Sequence, residues 1–108
     1  MQRFTPSQLA KYLQQNTHPP LLLDVRESWE YDICHIDGSE LIPMRQIPEA
    51  AEEARLDPDR ETVLICHHGI RSRQVAYYLE HLGFSNLINL EGGVEAWAQD
   101  VDPTMKRY

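Results

Sequence analysis

The residues best suited to chemistry in this chain form one short run, Cys66-His67-His68-Gly69-Ile70-Arg71-Ser72. It brings together a thiol, two imidazoles, a residue free to take φ > 0, a guanidinium and a hydroxyl. The chemistry this set suits is nucleophilic attack by a cysteine thiolate, which needs an electropositive cradle around the sulfur. A helix dipole contributes only about 0.3–1 kcal/mol at its N-terminus, too little by itself to hold a thiolate. Hydrogen bonds to a charged group contribute about 1.5–3 kcal/mol each, so two or three loop amides aimed at Sγ, aided by Arg71, are enough. Gly69 lets the loop close around a bound atom, and His67 and His68 line the pocket. Ser72 either caps the following helix or turns its hydroxyl to the sulfur.

Spacing separates two anion chemistries. A cysteine phosphatase needs arginine at the sixth position after the nucleophile to clamp phosphate oxygens, and here that position is Ser72. Arginine stands at the fifth, Arg71, giving a tighter C-x4-R loop whose smaller ring suits a terminal sulfur better than a phosphoryl group. The competing reading makes Cys66 a buried structural thiol ending a strand, since free cysteine is among the most buried residue types. Gly69 and Arg71 at this spacing before a helix favour the nucleophile.

Position matters as much as residue type. Thr62-Val63-Leu64-Ile65 is an apolar, β-branched run fit for a central parallel strand, and Val75, Ala76, Leu79 and Leu82 follow at helical spacing. Cys66 therefore falls at the carboxyl end of a strand facing a helix N-terminus, where open α/β sheets place ligands. Elsewhere, Thr5-Pro6-Ser7-Gln8 combines a capping box with proline at the first helical position, predicting a helix with Leu9, Tyr12 and Leu13 on one face that ends near Asn16. Leu21 to Val25 reads as a buried strand, Glu27 to Asp32 as a helical turn, and Glu40 to Pro43 as a short strand. Ile47, Ala50, Ala51 and Ala54 mark a helix that Asp57-Pro58-Asp59 terminates, and Gly83 caps the 72–82 helix. Leu87 to Leu90 is a last strand leading through Gly92-Gly93 into a helix with Val94, Trp97, Ala98 and Val101 on one side. The 102–108 tail is expected to be irregular and surface-bound. Alternating strands and helices imply an α/β fold with a mostly parallel sheet covered on both faces and right-handed crossovers.

Length and composition bound the function. The 108 residues suit one domain, 1–108, and the hydrophobic fraction of 42% with 25% charged residues is that of a globular protein. Ten basic against 17 acidic residues give a net charge of −7, which disfavours nucleic acid or an anionic membrane as partner. No apolar run is long enough to cross a membrane, and the start, Met1 to Pro6, lacks the apolar core of a signal peptide, so a cytoplasmic location is expected. Two cysteines in such a chain are expected to be reduced thiols.

Together, Asp24-Val25-Arg26-Glu27, Trp29-Glu30-Tyr31, His35-Ile36-Asp37-Gly38-Ser39, CHHGIRS and Leu90-Glu91-Gly92-Gly93 with Trp97 resemble a single rhodanese domain over almost the whole chain. The resemblance implies a three-layer fold with a mostly parallel sheet of about five strands. It also implies a sulfurtransferase that takes sulfane sulfur from thiosulfate or another persulfide donor, holds it as a Cys66 persulfide, and passes it to cyanide or a thiol. On it, Cys66 is the sulfur carrier, residues 67–71 are the amide cradle, and Arg71 is the anion-binding side chain. Asp24 and Arg26 become mainly structural supports, and His35 a turn-stabilising residue rather than a proton shuttle. No cofactor or metal is implied. The partners implied are a small anionic donor and a thiol or cyanide acceptor, with a cysteine desulfurase or thioredoxin-like protein as further candidates.

Cys34 stands where that family commonly has glycine, and is expected to be an inert, partly buried thiol rather than a resolving partner for Cys66. Cys34, His35, Cys66, His67 and His68 lack the paired spacing of a zinc site. From another functional class, a non-catalytic module in which Cys66 senses reactive sulfur or oxidants uses the same loop.

Overall fold

The computed structural model describes all residues, Met1–Tyr108, and has the three-layer α/β architecture expected. In chain order the elements are β1 (Gln2–Phe4), α1 (Pro6–Gln15), β2 (Leu21–Asp24), α2 (Ser28–Ile33), β3 (Glu40–Leu41), a 3-10 turn (Met44–Gln46), α3 (Ile47–Glu52), β4 (Thr62–Ile65), α4 (Ile70–His81), β5 (Leu87–Leu90) and α5 (Gly93–Asp100). The five strands form one parallel sheet in the order β1-β5-β4-β2-β3. No helix is long and apolar enough to cross a membrane.

The central strands β2, β4 and β5 are buried along their whole length, which is why they read as largely apolar runs, broken at Asp24, Thr62 and Asn89. Successive residues feed opposite layers. Leu21, Leu23 and Leu64 join Ile47, Ala50, Val75, Ala76 and Leu79 on the α3/α4 side. Leu22, Val63, Ile65 and Ile88 join Leu9, Val94 and Trp97 on the α1/α5 side. Such double-sided burial fixes β4 between the two layers, with Cys66 at its carboxyl end.

Several boundaries differ from expectation. Strand β1 carries two exposed polar residues, too few apolar positions to announce a strand, and it forms because the edge of β5 is open to Gln2, Arg3 and Phe4. Helix α3 stops at Glu52 because Ala54 takes a left-handed φ of 58° and Arg55 N–H closes onto Ala50 C=O at 2.9 Å. Helix α4 begins two residues before Ser72, with Gly69 rather than Ser72 as its N-cap. At its other end Leu82 is the C-cap, and Gly83, at φ 100°, follows it in the left-handed turn that lets Phe84 N–H reach Leu79 C=O. The capping box at α1 forms as read, Thr5 Oγ1 accepting from Gln8 N–H at 3.2 Å and Gln8 Oε1 from Thr5 N–H at 2.9 Å.

Candidate active site

Cys66 ends β4 and is 1% exposed. Its Sγ accepts the Gly69 N–H at 3.0 Å and donates to Ser72 Oγ at 3.3 Å. One amide therefore contacts the sulfur where two or three were expected. The remaining first-turn amides of α4 have no partner within the helix and line the same turn. Gly69 makes this closure possible: its φ is 91°, and a Cβ there would lie 3.0 Å from Gly92 N and 3.2 Å from Leu90 O. The turn into α5 docks on the loop from the other side. Val94 N–H donates to Cys66 C=O at 2.9 Å and Glu95 N–H to His67 C=O at 3.1 Å. Gly93 is required for that approach, since a Cβ on it would run into both carbonyl oxygens.

Ser72 is fully buried at the third helical position, so its hydroxyl serves the sulfur side and not a cap. It donates to Asn89 Oδ1 at 2.6 Å. Asn89, fully buried on β5, in turn donates to Gly69 C=O at 3.2 Å and to Glu91 Oε2 at 2.5 Å. A polar residue inside Leu87-Ile88-Asn89-Leu90 was the available sequence signal for it.

Arg71 does not stand free as an anion site. Its Nη1 and Nη2 donate to Glu30 Oε2 and Oε1 at 2.8 and 2.9 Å. Those bonds from Arg71, against the opposing effect of burial, hold the Glu30 carboxyl down at about 2, and the Arg71 guanidinium is correspondingly raised. Glu30 also accepts the Tyr108 hydroxyl at 2.9 Å, and that hydroxyl accepts from Arg26 Nη1 at 2.9 Å. Burial first, and then the Glu30 carboxylate, push Tyr108 up to about 12. The tail is irregular as expected, yet its last residue returns to the loop: the Tyr108 ring stacks on His67 at 3.9 Å and meets Trp29 edge-on at 6.0 Å. Nothing local in the sequence marks Tyr108 for this.

His67 is sandwiched, with His68 stacked 4.0 Å away on its other face at 25°. Burial, and then the neighbouring His68, push the His67 imidazole below its ordinary range. Its Nε2 has no hydrogen-bond partner and lies 3.6 Å from Glu95 Oε2. His67, His68 and Glu95 place one ligand atom each within 4.8 Å of one another. Stacked rings direct their nitrogen lone pairs nearly side by side, so the two imidazoles do not converge on one ion, and Arg107 already pairs with Glu95. Ile70 faces outward at 62% exposure.

The supporting residues lie behind the loop. Asp24 and Arg26 are both fully buried and paired, Arg26 Nη2 to Asp24 Oδ2 at 2.8 Å, and Arg26 also donates to Cys34 C=O at 2.7 Å and Glu30 C=O at 3.4 Å. They tie β2 to α2 and do not contact the sulfur. His35 bonds Tyr31 C=O at 2.9 Å through Nδ1 and stacks on the Tyr31 ring, within its own turn. Cys34 is a half-buried free thiol whose Sγ lies 3.8 Å from Arg26 Nη1. With Cys66 only 1% exposed, the sulfur sits in a closed cradle rather than an open cleft.

Known proteins resemble this chain over nearly its whole length. The family model described as "Rhodanese-like domain" matches residues 5–100. The "Probable adenylyltransferase/sulfurtransferase MoeZ" of Mycobacterium tuberculosis is 39% identical over 104 residues, covering 96% of this chain and 26% of its own. The crystal structure of SSP1007 from Staphylococcus saprophyticus superposes with a TM-score of 0.82 at 31% identity, covering 94% of this chain and 97% of that one. A rhodanese-like domain protein from Staphylococcus aureus gives a TM-score of 0.80 at 32% identity over 90% and 91% of the two chains. This chain spans about a quarter of the length of curated relatives such as MoeZ.

Proposed function

Because the chain belongs to the rhodanese-like domain family, we propose that it is a sulfurtransferase that carries sulfane sulfur on Cys66. The observation that supports this most is the Gly69 N–H held 3.0 Å from Sγ at the carboxyl end of β4, under the N-terminus of α4. A structural thiol needs no donor. A sulfur that becomes anionic does.

In the first half-reaction the Cys66 thiolate attacks the outer sulfur of a donor R–S–S⁻. The Cys66–sulfur bond forms, the donor S–S bond breaks, and R–S⁻ leaves with the electron pair. In the second, an acceptor thiolate or cyanide attacks the outer sulfur and Cys66 returns to the thiolate. No net oxidant or reductant is required, and the kinetics are ping-pong. The free first-turn amides of α4 supply donors for the outer sulfur of the persulfide.

The Arg71–Glu30 pair refines the donor. With its charge matched by a carboxylate, Arg71 gives the loop little net attraction for a dianion such as thiosulfate, and a thiol persulfide is the better-suited donor. Intact mass measured after a persulfide donor, and then after cyanide, should show one sulfur gained and then lost. Cys66→Ala should abolish both changes and Cys34→Ala neither. No gain with thiosulfate or with any persulfide would overturn the reading.

A further inference from the structure

The hydrogen bonds around Asn89 can be followed in one direction only. Gly69 C=O and Glu91 Oε2 are both acceptors, and both face the same end of the Asn89 amide, at 3.2 and 2.5 Å. That end is therefore Nδ2, which leaves Oδ1 to face Ser72. Oδ1 can only accept, so the Ser72 hydroxyl proton points at Asn89, at 2.6 Å, and away from the sulfur. What Ser72 presents to Cys66, at 3.3 Å, is a lone pair. Ser72 and Asn89 are fully buried, and no other hydrogen-bond partner of the Ser72 hydroxyl is present.

We propose that Asn89 is a positioning residue that sets the state of the nucleophile by fixing which way the Ser72 hydroxyl points. With the thiol, every bond in the chain Cys66–Ser72–Asn89 is satisfied. With a thiolate, the Ser72 hydroxyl either keeps its bond to Asn89 and opposes a lone pair to the anion, or turns to the sulfur and strands a buried amide oxygen. Asn89 thus holds the resting sulfur as a hydrogen-bond donor, and the hydroxyl must turn for Gly69 and Ser72 to stabilise the anion together. The inference rests on Cys66 being the working sulfur but not on its sulfur-transfer activity.

The test is the pH dependence of Cys66 alkylation by iodoacetamide, followed by peptide mass mapping so that Cys34 is scored separately. Asn89→Leu keeps the approximate shape and removes the acceptor. Asn89→Ala serves the same purpose if the leucine variant fails to fold. Each is compared in the wild-type and Ser72→Ala backgrounds. Alkylation at neutral pH should rise with loss of Asn89 about three- to tenfold more when Ser72 is present than when it is absent, the scale of one hydrogen bond. The alkylation midpoint should move to lower pH only in the Ser72 background, while Asn89→Asp, which retains the acceptor, should not speed alkylation. Equal effects in the two backgrounds, or an unmoved midpoint, would assign Asn89 to stability alone. Because alkylation uses no sulfur donor, these results stand apart from the mass test of persulfide formation: either can fail without the other.

Discussion

At the scale of single residues, Glu30 is the hub that ties the loop to the rest of the molecule. It is 4% exposed and accepts two bonds from Arg71, one from Tyr108 and one from Glu27 N–H. Glu30→Gln removes the countercharge of a guanidinium that is itself about a third exposed, so the cost is discounted for solvent to about 1–3 kcal/mol in urea unfolding. Tyr108→Phe removes the acceptor of a buried Arg26 donor and the donor to Glu30, and should cost about 1–2 kcal/mol. If Tyr108→Phe left stability unchanged, the tail would not be docked as described. Cys66 offers a further check, because at 1% exposure its reaction with a bulky maleimide should be slowed, relative to a free thiol, more than its reaction with iodoacetamide.

At the scale of elements, the cradle is where two helix starts meet. Gly69 opens α4 and the Gly92-Gly93 turn opens α5, and the two turns share backbone contacts across Cys66 and His67. Gly93→Ala has to displace the Cys66 and His67 carbonyls as well as adopt a φ of 59°, so it should destabilise by about 2 kcal/mol or more and slow Cys66 alkylation. A substitution that also imposes a positive φ but meets no such neighbours is available at Gly38, φ 83°, where a Cβ meets nothing within 4 Å. Gly38→Ala should therefore cost less and leave alkylation untouched. At α1, Thr5→Ala deletes a formed capping box and should cost about 1 kcal/mol, recovered by Thr5→Ser.

At the scale of the whole molecule, the buried charges set the response to acid. Glu30 titrates at about 2 in the fold against an ordinary 4.5, so the stability it contributes is complete above 4.5 and is lost as pH falls toward 2. That difference corresponds to about 3 kcal/mol. His67, pushed below 6.5 by burial, acts in the same sense from higher pH, because the unfolded chain takes up its proton first. As the carboxylates protonate, ten basic residues and five histidines leave the chain net positive, and that growing repulsion also lowers stability, so the Glu30 contribution is read as a difference. Unfolding free energy should fall more steeply between pH 4.5 and 2 for the wild type than for Glu30→Gln. Parallel curves would remove Glu30 from the account.

The sequence by itself determined what depends on neighbours along the chain. The Thr5 capping box, the buried runs of β2, β4 and β5, and the C-x4-R loop with Gly69 at its bend are all written in residues a few positions apart, and local backbone sterics and burial act at that range. Only the tertiary structure decided which side chains meet. The sheet order β1-β5-β4-β2-β3 sets β5 and β2 on either side of β4, which brings Asn89 to Ser72 from one flank and Glu30 to Arg71 from the other. It also gives the weakly patterned Gln2–Phe4 an edge to join. Tyr108 reaches Arg26 across 82 residues because the tail folds back over the loop. The cysteine loop was legible because its geometry is local, whereas the hydrogen bonds that orient its hydroxyl and guanidinium come from distant strands and a terminal residue that carry no mark of it in their own neighbourhoods.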